Sequence, residues 1–475
     1  MNLSRIIERW AQHSPAKTAL HFQGEDFSYS ALWASTQRAT RGLAGLGIAK
    51  GDRIAFLGYN HPQMLVLLFA AARLGALLVP LNWRLTAHEH RAILADCGPR
   101  ALFFEPEFES HAAGLPVETQ VRLDAQLPDS APLIAGEDDD ELLIVYTSGT
   151  TAAPKGAVLT QAALLWNGFN SIHAHDLGQG DHVLSPLPMF HVGGLNNQTL
   201  PALLAGATVT LHRRFEPGLW LADVAGRRPT LSLLVPATLQ AVIAHPDWET
   251  TDLTSLRMVN TGSMVVPDNL IRRFHARNVP IGQIYGATET APIATVLMTR
   301  DAYTKAGSAG KAALHCEVRI VDAEVQVRGP NVMRRYWNSP DATAAAFTSD
   351  GWFRTGDLGR WDAEGFLWID GRSKDVIISG GENIHPAEIE NVLADCPAIA
   401  ECAVIGVADP KWGEAACAVI VRKPGAALEE AGVMALFTDR LARYKHPRKI
   451  LFADSLPKNA MGKVQKVELR KMLGA

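Results

Sequence analysis

Short, mostly apolar segments alternate with segments of helical periodicity early in the chain, and this alternation constrains the fold more than any other feature. The sequence predicts strands at residues 53–57, 77–80 and 101–104. It predicts helices at residues 64–74 and 87–96, between those strands. Apolar strands separated by helices are typical of parallel sheets covered on both faces. The pattern therefore predicts an α/β fold.

The same pattern returns later and then changes twice. Strands are predicted again at 207–211 and 231–235. From about residue 310 to 370, short strands separated by Gly, Asp and Pro indicate antiparallel hairpins. The remaining chain predicts a small α/β unit, with strands at 376–378, 403–407 and 416–421 and helices at 387–393 and 433–441. We expect a large N-terminal domain at 1–370, made of parallel α/β subdomains plus a small β-rich subdomain, and a small mobile C-terminal α/β domain at 371–475.

Composition excludes several classes of protein. The 475 residues are 47% apolar and 20% charged with a net charge of −4, which argues against a nucleic-acid binder. The longest apolar stretch, 64–79, is broken by Arg73 and Gly75, so no transmembrane segment is expected. An odd number of cysteines without a C-x-x-C pair indicates a reduced, cytoplasmic protein without a disulfide framework or zinc site. The five are Cys97, Cys316, Cys396, Cys402 and Cys417.

One loop concentrates groups that bind phosphate. It reads Tyr146-Thr-Ser-Gly-Thr-Thr-Ala-Ala-Pro-Lys-Gly156 and follows an apolar strand predicted at 142–145. Glycine lets backbone N–H groups approach an anion, hydroxyls add donors, and lysine adds a charge. An ordinary polar turn is the alternative, and the order of residues differs from that of P-loop proteins. The candidate ATP-binding residues are Thr147, Ser148, Gly149, Thr150, Thr151 and Lys155.

Further segments follow this loop in a fixed order. They are Tyr285-Gly-Ala-Thr-Glu-Thr290, Gly351-Trp-Phe-Arg-Thr-Gly-Asp357, Asp370-Gly-Arg-Ser-Lys-Asp375, the glycine turn at 378–390, and Leu456-Pro-Lys-Asn-Ala-Met-Gly-Lys463. Together with the loop they resemble the adenylate-forming superfamily, which contains acyl-CoA synthetases, luciferases and the adenylation domains of peptide synthetases. The resemblance extends from about residue 6 to 472.

The resemblance implies a nucleotide site. It places Tyr285 against the adenine of ATP or AMP, includes Gly286 among the residues that bind the nucleotide, and places Thr288 at the phosphate. Asp357 and Arg372 are expected to bind the ribose hydroxyls. Glu289 is expected to hold Mg²⁺, a hard cation that prefers oxygen ligands.

The resemblance also implies a movable catalytic lysine. Lys463 is expected to act in the adenylation step, together with Thr288 and Glu289. Lys374 occupies the hinge position between the two domains. A rotation about this hinge is expected to withdraw Lys463 after adenylation and to present the glycine turn to the thiol.

Coenzyme A is the expected acceptor. By resemblance, Gly380 and Gly381 line the pantetheine tunnel, and Trp412, in Pro410-Lys-Trp-Gly-Glu414, packs on the adenine of CoA. Arg448 belongs to a basic segment that could meet the phosphates of CoA. The alternatives are a core tryptophan and a solvated basic face.

The sequence indicates less about the pocket that binds the acyl group. Pro188-Met-Phe-His-Val-Gly-Gly194 resembles the segment whose histidine, here His191, gates the carboxylate or thiol; a hydrogen-bonded core histidine is the alternative. Apolar walls without a buried charge argue against amino acids and short dicarboxylates and favour a fatty acid or an aryl acid of the cinnamate or benzoate type. The candidate pocket residues are His191, Gly194, Pro236, Gly262, Ser263, Gly286 and Ala287.

The expected function is therefore an ATP-dependent acyl-CoA synthetase using ATP, Mg²⁺, CoA and a carboxylic acid. Two alternatives stay open: an acyl-AMP ligase that delivers to a carrier protein, and a degenerate, non-catalytic homologue. Two departures from the family pattern bear on the second, namely Ala152 in place of a glycine and a shortened hairpin at 320–329. A homodimer is also left open.

Overall fold

A computed structural model describes residues 2–132, 134–147, 154–264, 266–379, 382–459 and 462–474. Within these residues the strands form four sheets. Two large sheets with parallel centres are flanked by helices, as the sequence predicts. A four-stranded antiparallel sheet and a smaller α/β unit follow, so the predicted order of fold elements is confirmed.

The first large sheet has seven strands and contains the predicted strands of the N-terminal region. Its central strands run parallel, whereas the two strands at one edge are antiparallel to their neighbours. The spatial order is Arg335–Tyr336, Lys155–Thr160, Glu141–Thr147, Leu77–Leu81, Arg53–Leu57, Ala101–Phe104 and Thr119–Arg122.

The second large sheet has nine strands and is also parallel at its centre, with antiparallel strands at both ends. The spatial order is Lys311–Ala312, Thr295–Val296, Ile281–Tyr285, Met258–Gly262, Leu231–Leu233, His182–Ser185, Thr208–Leu211, Thr18–Phe22 and Glu25–Ser28. The predicted strand at 231–235 ends two residues early, because Pro236 begins a helix.

The helix Pro62–Leu74 packs in the core that joins the two large sheets. Nearly all of its side chains are buried, which explains why its sequence is apolar on every side. Pro62 suits its first turn, and Gly75, at a φ of 75°, ends it in the left-handed conformation. Its burial fixes the two sheets against each other and so positions the strand ends that carry the site.

The other helices cover the sheets. The α-helices of the described residues are Ser4–His13, Tyr29–Gly45, Pro62–Leu74, Ala87–Cys97, Glu109–Ala113, Gln161–His175, Val192–Gly194, Leu200–Leu204, Pro217–Arg227, Pro236–Ile243, Asp268–His275, Pro340–Ala346, Pro386–Ala394, Glu430–Ala435 and Lys466–Met472. No helix in these ranges is long and apolar enough to cross a membrane.

The four-stranded sheet contains the shortened hairpin. Its order is Glu317–Val321, Glu324–Arg328, Phe353–Trp361 and Leu367–Arg372, and all pairs are antiparallel. The hairpin closes through two residues, Asp322 and Ala323, with φ of 50° and 65°. Two left-handed residues match the twist of the flanking strands. The register continues regularly into the turn, so the shortening leaves the pairing intact.

Replacing Ala323 by glycine is expected to stabilise the protein, because alanine is strained in the left-handed region and glycine is not. The gain should be about 0.5–1 kcal/mol in the free energy of unfolding, measured as a higher melting temperature. The matched control is Ala344→Gly on the exposed surface of the helix Pro340–Ala346, where the same change should lower stability. A loss of stability in Ala323→Gly would contradict the assignment of strain to this turn.

The C-terminal unit is built on a five-stranded sheet. Its path is Glu382–Ile384, Ile377–Ser379, Gly413–Arg422 and Ile399–Asp409, and Lys449–Phe452 pairs in parallel with Gly413–Arg422. The predicted helix at 433–441 is wrong in its bounds: the helix spans Glu430–Ala435. Asp439 has a φ of 60°, so the chain leaves the right-handed helical conformation before residue 441.

Candidate active site

The predicted phosphate loop begins at the end of a central strand. Thr147 ends the strand Glu141–Thr147 and pairs with Lys155, which begins the next strand. The hydroxyl of Thr147 donates to the backbone carbonyl of Lys155 at 3.3 Å. The predicted loop residues between them lie outside the described residues: Ser148, Gly149, Thr150, Thr151 and Ala152.

A tyrosine–carboxylate–guanidinium cluster joins three of the predicted nucleotide residues. The hydroxyl of Tyr285 donates to Asp357 at 2.9 Å, and Nε of Arg372 lies 2.7 Å from the other oxygen of the same carboxylate. Asp357 and Arg372 are paired across neighbouring strands, which fixes their contact. Burial and then the charge of Asp357 raise the pKa of Tyr285 well above its ordinary value, so the phenol keeps its proton.

Glu289 has a partner that the sequence did not indicate. It lies in the short helical turn Thr288–Thr290, where Thr288 is buried. The hydroxyl of Tyr336 donates to Oε1 of Glu289 at 2.7 Å. The ammonium of Lys155 lies 5.5 Å from the ring centroid of Tyr336, within the range of a cation–π contact. Tyr336 thus links the start of one strand to the candidate metal ligand.

Lys463 belongs to the C-terminal unit and is near enough to this cluster for the charges of Arg372 and Asp357 to act on its pKa. A tight turn presents it: the N–H of Asn459 donates to the carbonyl of Lys463, and Oδ1 of Asn459 accepts from the N–H of Lys463, both at 2.9 Å. Burial lowers the pKa of Lys463, and Arg372 lowers it further, whereas Asp357 opposes this shift. The lysine therefore lies within the electrostatic field of the nucleotide cluster.

The turn that carries Lys463 contacts the large sheets closely. A Cβ atom added to Gly462, which has a φ of 74°, would lie 3.0 Å from Cβ of Ala237 on the helix Pro236–Ile243. Elsewhere, the amide of Asn269 donates to the carbonyl of Ala394 at 2.8 Å, and Arg272 pairs with Asp395 at 3.0 Å. The predicted hinge residue Lys374 lies in the turn Ser373–Asp375, where burial lowers its pKa.

His191 precedes the helical turn Val192–Gly194 and caps its N-terminus. Its Nδ1 accepts from the N–H of Gly193 at 2.9 Å. A backbone N–H can only donate, so in the neutral ring the proton resides on Nε2. Burial, with a further contribution from the charge of Lys463, lowers the pKa of His191 to about 4, so the ring is neutral at pH 7. It can therefore donate one hydrogen bond without carrying a charge.

Three of the predicted pocket residues are glycines that the backbone packing requires. A Cβ on Gly194 would lie 2.2 Å from the carbonyl oxygen of Pro188, and one on Gly262 would lie 2.5 Å from that of Ile284. A Cβ on Gly286 would lie 1.6 Å from the carbonyl oxygen of Pro292. Each contact is too short for any side chain, so these positions bring backbone segments together around the pocket.

The remaining predicted pocket residues differ in exposure. Pro236 is buried at the start of its helix, and Ala287 is half-buried. Ser263 is exposed and has a φ of 72°.

The pocket wall is more polar than the sequence indicated. The turn Leu195–Thr199 is a π-helix, and its four polar residues are buried. Gln198, which was not predicted, donates from Nε2 to Oδ1 of Asn260 at 2.7 Å. The polar run Asn196–Thr199 within an apolar helical segment was the signal that could have identified it.

The two predicted CoA contacts lie together on the C-terminal unit. The guanidinium of Arg448 lies 4.5 Å from the ring centroid of Trp412, and Lys411 lies 4.9 Å from the same ring. Trp412 adjoins Gly413, which pairs with Ser379 at the end of the strand Ile377–Ser379. The predicted tunnel residues Gly380 and Gly381 follow that strand and lie outside the described residues.

Comparison with known proteins identifies the family. Residues 7–337 match the AMP-binding enzyme family, and residues 388–463 match the AMP-binding enzyme C-terminal domain. An indoleacetate–CoA ligase of Aromatoleum aromaticum is 49% identical, covering 100% of this chain and 98% of the relative. A feruloyl-CoA synthase of an Amycolatopsis species is 41% identical, covering 98% of each.

A solved structure agrees with the fold over the whole chain. The crystal structure of an anthranilate CoA ligase in complex with anthranoyl-AMP superposes with a TM-score of 0.92 and 27% identity, covering 99% of this chain and 97% of that one. The chain therefore belongs to the AMP-binding enzyme family and is an AMP-forming acid–thiol ligase of the acyl-CoA synthetase class.

Proposed function

We propose that this acyl-CoA synthetase activates an aryl acid, foremost an arylacetic acid, and that the cluster of Tyr285, Asp357, Arg372 and Lys463 performs the first step. The observation that carries the proposal is the cluster in which Asp357 accepts from Tyr285 and pairs with Arg372. Gly462, next to Lys463 in the C-terminal unit, packs against Ala237 of the large domain, and the charges of Arg372 and Asp357 act on the pKa of Lys463.

In the first step, a carboxylate oxygen of the acid attacks the α-phosphorus of ATP. The new P–O bond forms as the bond to pyrophosphate breaks, and no proton is transferred. Lys463 places a positive charge where negative charge accumulates, in a partly buried site where such a charge acts strongly, whereas Arg372 is paired with Asp357 at the ribose. Tyr285 and Asp357 hold the nucleoside, which orients the α-phosphorus.

Mg²⁺ bound with ATP would neutralise phosphate charge during this step. Glu289 is suited to hold it, because the carboxylate is half-buried and Tyr336 contacts only its Oε1. Such sites typically use a carboxylate ligand whose orientation is fixed by a hydrogen bond from a neighbouring side chain.

In the second step, the thiol of CoA attacks the acyl carbon and AMP departs. The neutral His191 can donate from Nε2 to the acyl oxygen, where negative charge develops. We infer that the C-terminal domain, 371–475, rotates about Lys374 between the steps relative to the N-terminal domain, 1–370. The agreement with an adenylate complex over the whole chain supports assigning the present arrangement to the first step. Trp412 and Arg448 would then bind the nucleotide end of CoA.

An aryl acid is favoured over a fatty acid by two observations. Two relatives with high identity are named for aryl acids, indoleacetate and ferulate. The pocket wall also contains buried amides, which a saturated acyl chain could not satisfy. We also propose a cytoplasmic location, where ATP and CoA are supplied and where its five free thiols stay reduced, and we leave a homodimer open.

A panel of acids tests this function. Purified enzyme with ATP, Mg²⁺ and CoA is expected to convert indoleacetate, phenylacetate and ferulate to thioesters with kcat/KM at least about tenfold above that of decanoate. Pyrophosphate release and thioester are measured in parallel, with and without CoA. A preference for decanoate would refute the aryl assignment. Adenylate without thioester would instead favour delivery to a carrier protein, and the absence of both products would favour a non-catalytic homologue.

A further inference from the structure

A run of buried polar side chains follows the candidate pocket residue Gly194 closely, and two of them, Gln198 and Thr199, line a crevice. Asn196, Asn197, Gln198 and Thr199 are each at most 7% exposed and lie in the π-helical turn Leu195–Thr199. Thr199 is accounted for, because its hydroxyl donates to the carbonyl of Gly194 at 2.7 Å. The side-chain oxygen of Gln198, in contrast, has no hydrogen-bond partner within the part of the chain that the structure describes. Turns of π-helix are often found at functional sites.

The orientation of the Gln198 amide is fixed by its neighbour. Asn260 donates from Nδ2 to the sulfur of Met258 at 3.2 Å and towards the carbonyl of Gly282 at 3.4 Å. Both of these atoms are acceptors, so Oδ1 of Asn260 must point the other way and accept from Nε2 of Gln198. The atom of Gln198 that remains is therefore its oxygen, an acceptor.

This oxygen has no hydrogen-bond partner among the described residues, although it is buried. Gln198 lines a crevice together with Gly193, Gly194 and Leu233. Gly193 donates its backbone N–H to Nδ1 of His191 at 2.9 Å, so the crevice adjoins His191 and lies at the acyl side of the site. It is too narrow for water as it stands. A buried acceptor without a partner destabilises a protein unless a ligand satisfies it.

The sheet provides the opposite wall of this crevice. Leu233 and Asn260 are paired across neighbouring parallel strands, so their side chains project from the same face. Gly262 lies two residues along the same strand and shares that face, and it is one of the predicted pocket residues. An entering ring would separate Leu233 from the glycines and bring its far edge to Gln198.

We propose that Oε1 of Gln198 accepts a hydrogen bond from an N–H or O–H group on the ring of the acid, and that this contact selects heteroaryl or hydroxyaryl acids over acids without a donor. This inference rests on the proposed aryl-acid function. Because Asn260 holds the amide of Gln198 in one orientation, the amide cannot rotate to place its N–H group where Oε1 lies. An acid that carries only an acceptor at this position would therefore place that acceptor against Oε1.

The first test uses the unaltered enzyme and two acids of nearly equal shape. Indoleacetate carries a ring N–H, whereas benzothiopheneacetate has sulfur at that position. We expect kcat/KM for thioester formation to be roughly 10- to 100-fold higher with indoleacetate, mainly through KM. Equal kcat/KM for the two acids would overturn the inference but leave the aryl function standing. The absence of thioester from both would overturn the proposed function and this inference with it.

The second test uses Gln198→Met, which keeps the length of the side chain but removes the acceptor. It should reduce the preference for indoleacetate to within about threefold and change kcat/KM for benzothiopheneacetate little. The matched control is Gln283→Met. Gln283 is also buried, but it pairs with Thr261 and so projects from the opposite face of the sheet to Asn260. The control should keep the preference, and a control that loses it equally would contradict the role of Gln198.

Discussion

Replacing Lys463 by alanine is expected to slow adenylate formation by roughly a hundred- to a thousandfold, the range found when one preorganised charge-stabilising donor is removed. Transfer from a supplied acyl-adenylate to CoA should change less than about threefold, because that step breaks no bond to phosphorus and needs no charge at pyrophosphate. In this variant the rate of adenylate formation should therefore fall, while the rate of transfer to CoA stays nearly unchanged.

The separation follows from where Lys463 lies. Its side chain is partly buried, and its charge lowers the pKa of His191, while Asp357 raises the pKa of Lys463 itself. The first step needs the ammonium, whereas the backbone N–H of Lys463 is held by the side chain of Asn459. Truncation at Lys463 removes the charge without removing the turn.

The two half-reactions are measured separately, as pyrophosphate release from acid and ATP and as thioester from synthetic adenylate and CoA. Lys458→Ala is the matched control: it lies in the same hairpin but pairs with Glu401 at 2.7 Å. It should leave both half-reactions near those of the unaltered enzyme. Equal loss of both half-reactions in Lys463→Ala would contradict the scheme of two domain positions.

Lys463 should also set the alkaline limit of adenylation. Burial lowers its pKa from the ordinary value of 10.5, so the charged form that the step requires is lost at a lower pH than for an exposed lysine. Adenylation should fall as the pH rises through this lowered pKa. In Lys463→Arg the side chain stays charged, so the decline should move to higher pH.

The large sheets could be predicted because burial on both faces leaves a strong signal. The strands Arg53–Leu57 and Ala101–Phe104 have the predicted bounds, since almost every position in them faces a core. The helix at 433–441 was predicted too long. Only Val433 and Phe437 are fully buried there, and a local turn at Asp439 outweighs the weak periodicity beyond them.

The candidate site was predictable only in part. Residues in conspicuous polar motifs, such as Tyr285 and Asp357, could be singled out, and the structure places them in contact. Tyr336 could not be, because its importance lies in the distant carboxylate that it meets. The polar run Asn196–Thr199 draws attention to Gln198, but not to the oxygen that lacks a partner among the described residues. Whether a buried amide is satisfied depends on the register of strands far apart in sequence, which no local pattern encodes.

Replacing Asp357 by alanine is expected to impair both half-reactions, unlike the change at Lys463. The variant would lack the carboxylate proposed to bind the ribose, and Arg372 and Tyr285 would lose their common partner. Removing one member of a buried charged pair costs about 2–4 kcal/mol, or roughly 30- to 1000-fold in kcat/KM for ATP. Because the adenylate carries the same ribose, thioester formation from supplied adenylate should fall as well.

Asp370→Ala is the matched control, since Asp370 lies on the neighbouring strand and pairs with the exposed Arg360. It should alter kcat/KM for ATP less than about threefold, as expected for a surface ion pair. The KM for the carboxylic acid should stay nearly constant in both variants, because neither side chain lines the acyl pocket. A loss in Asp357→Ala confined to the adenylation step would place Asp357 at the phosphates instead of the ribose. Together with the selective loss at Lys463, a loss in both half-reactions would show that one cleft holds the nucleoside throughout, while the lysine serves only the first step.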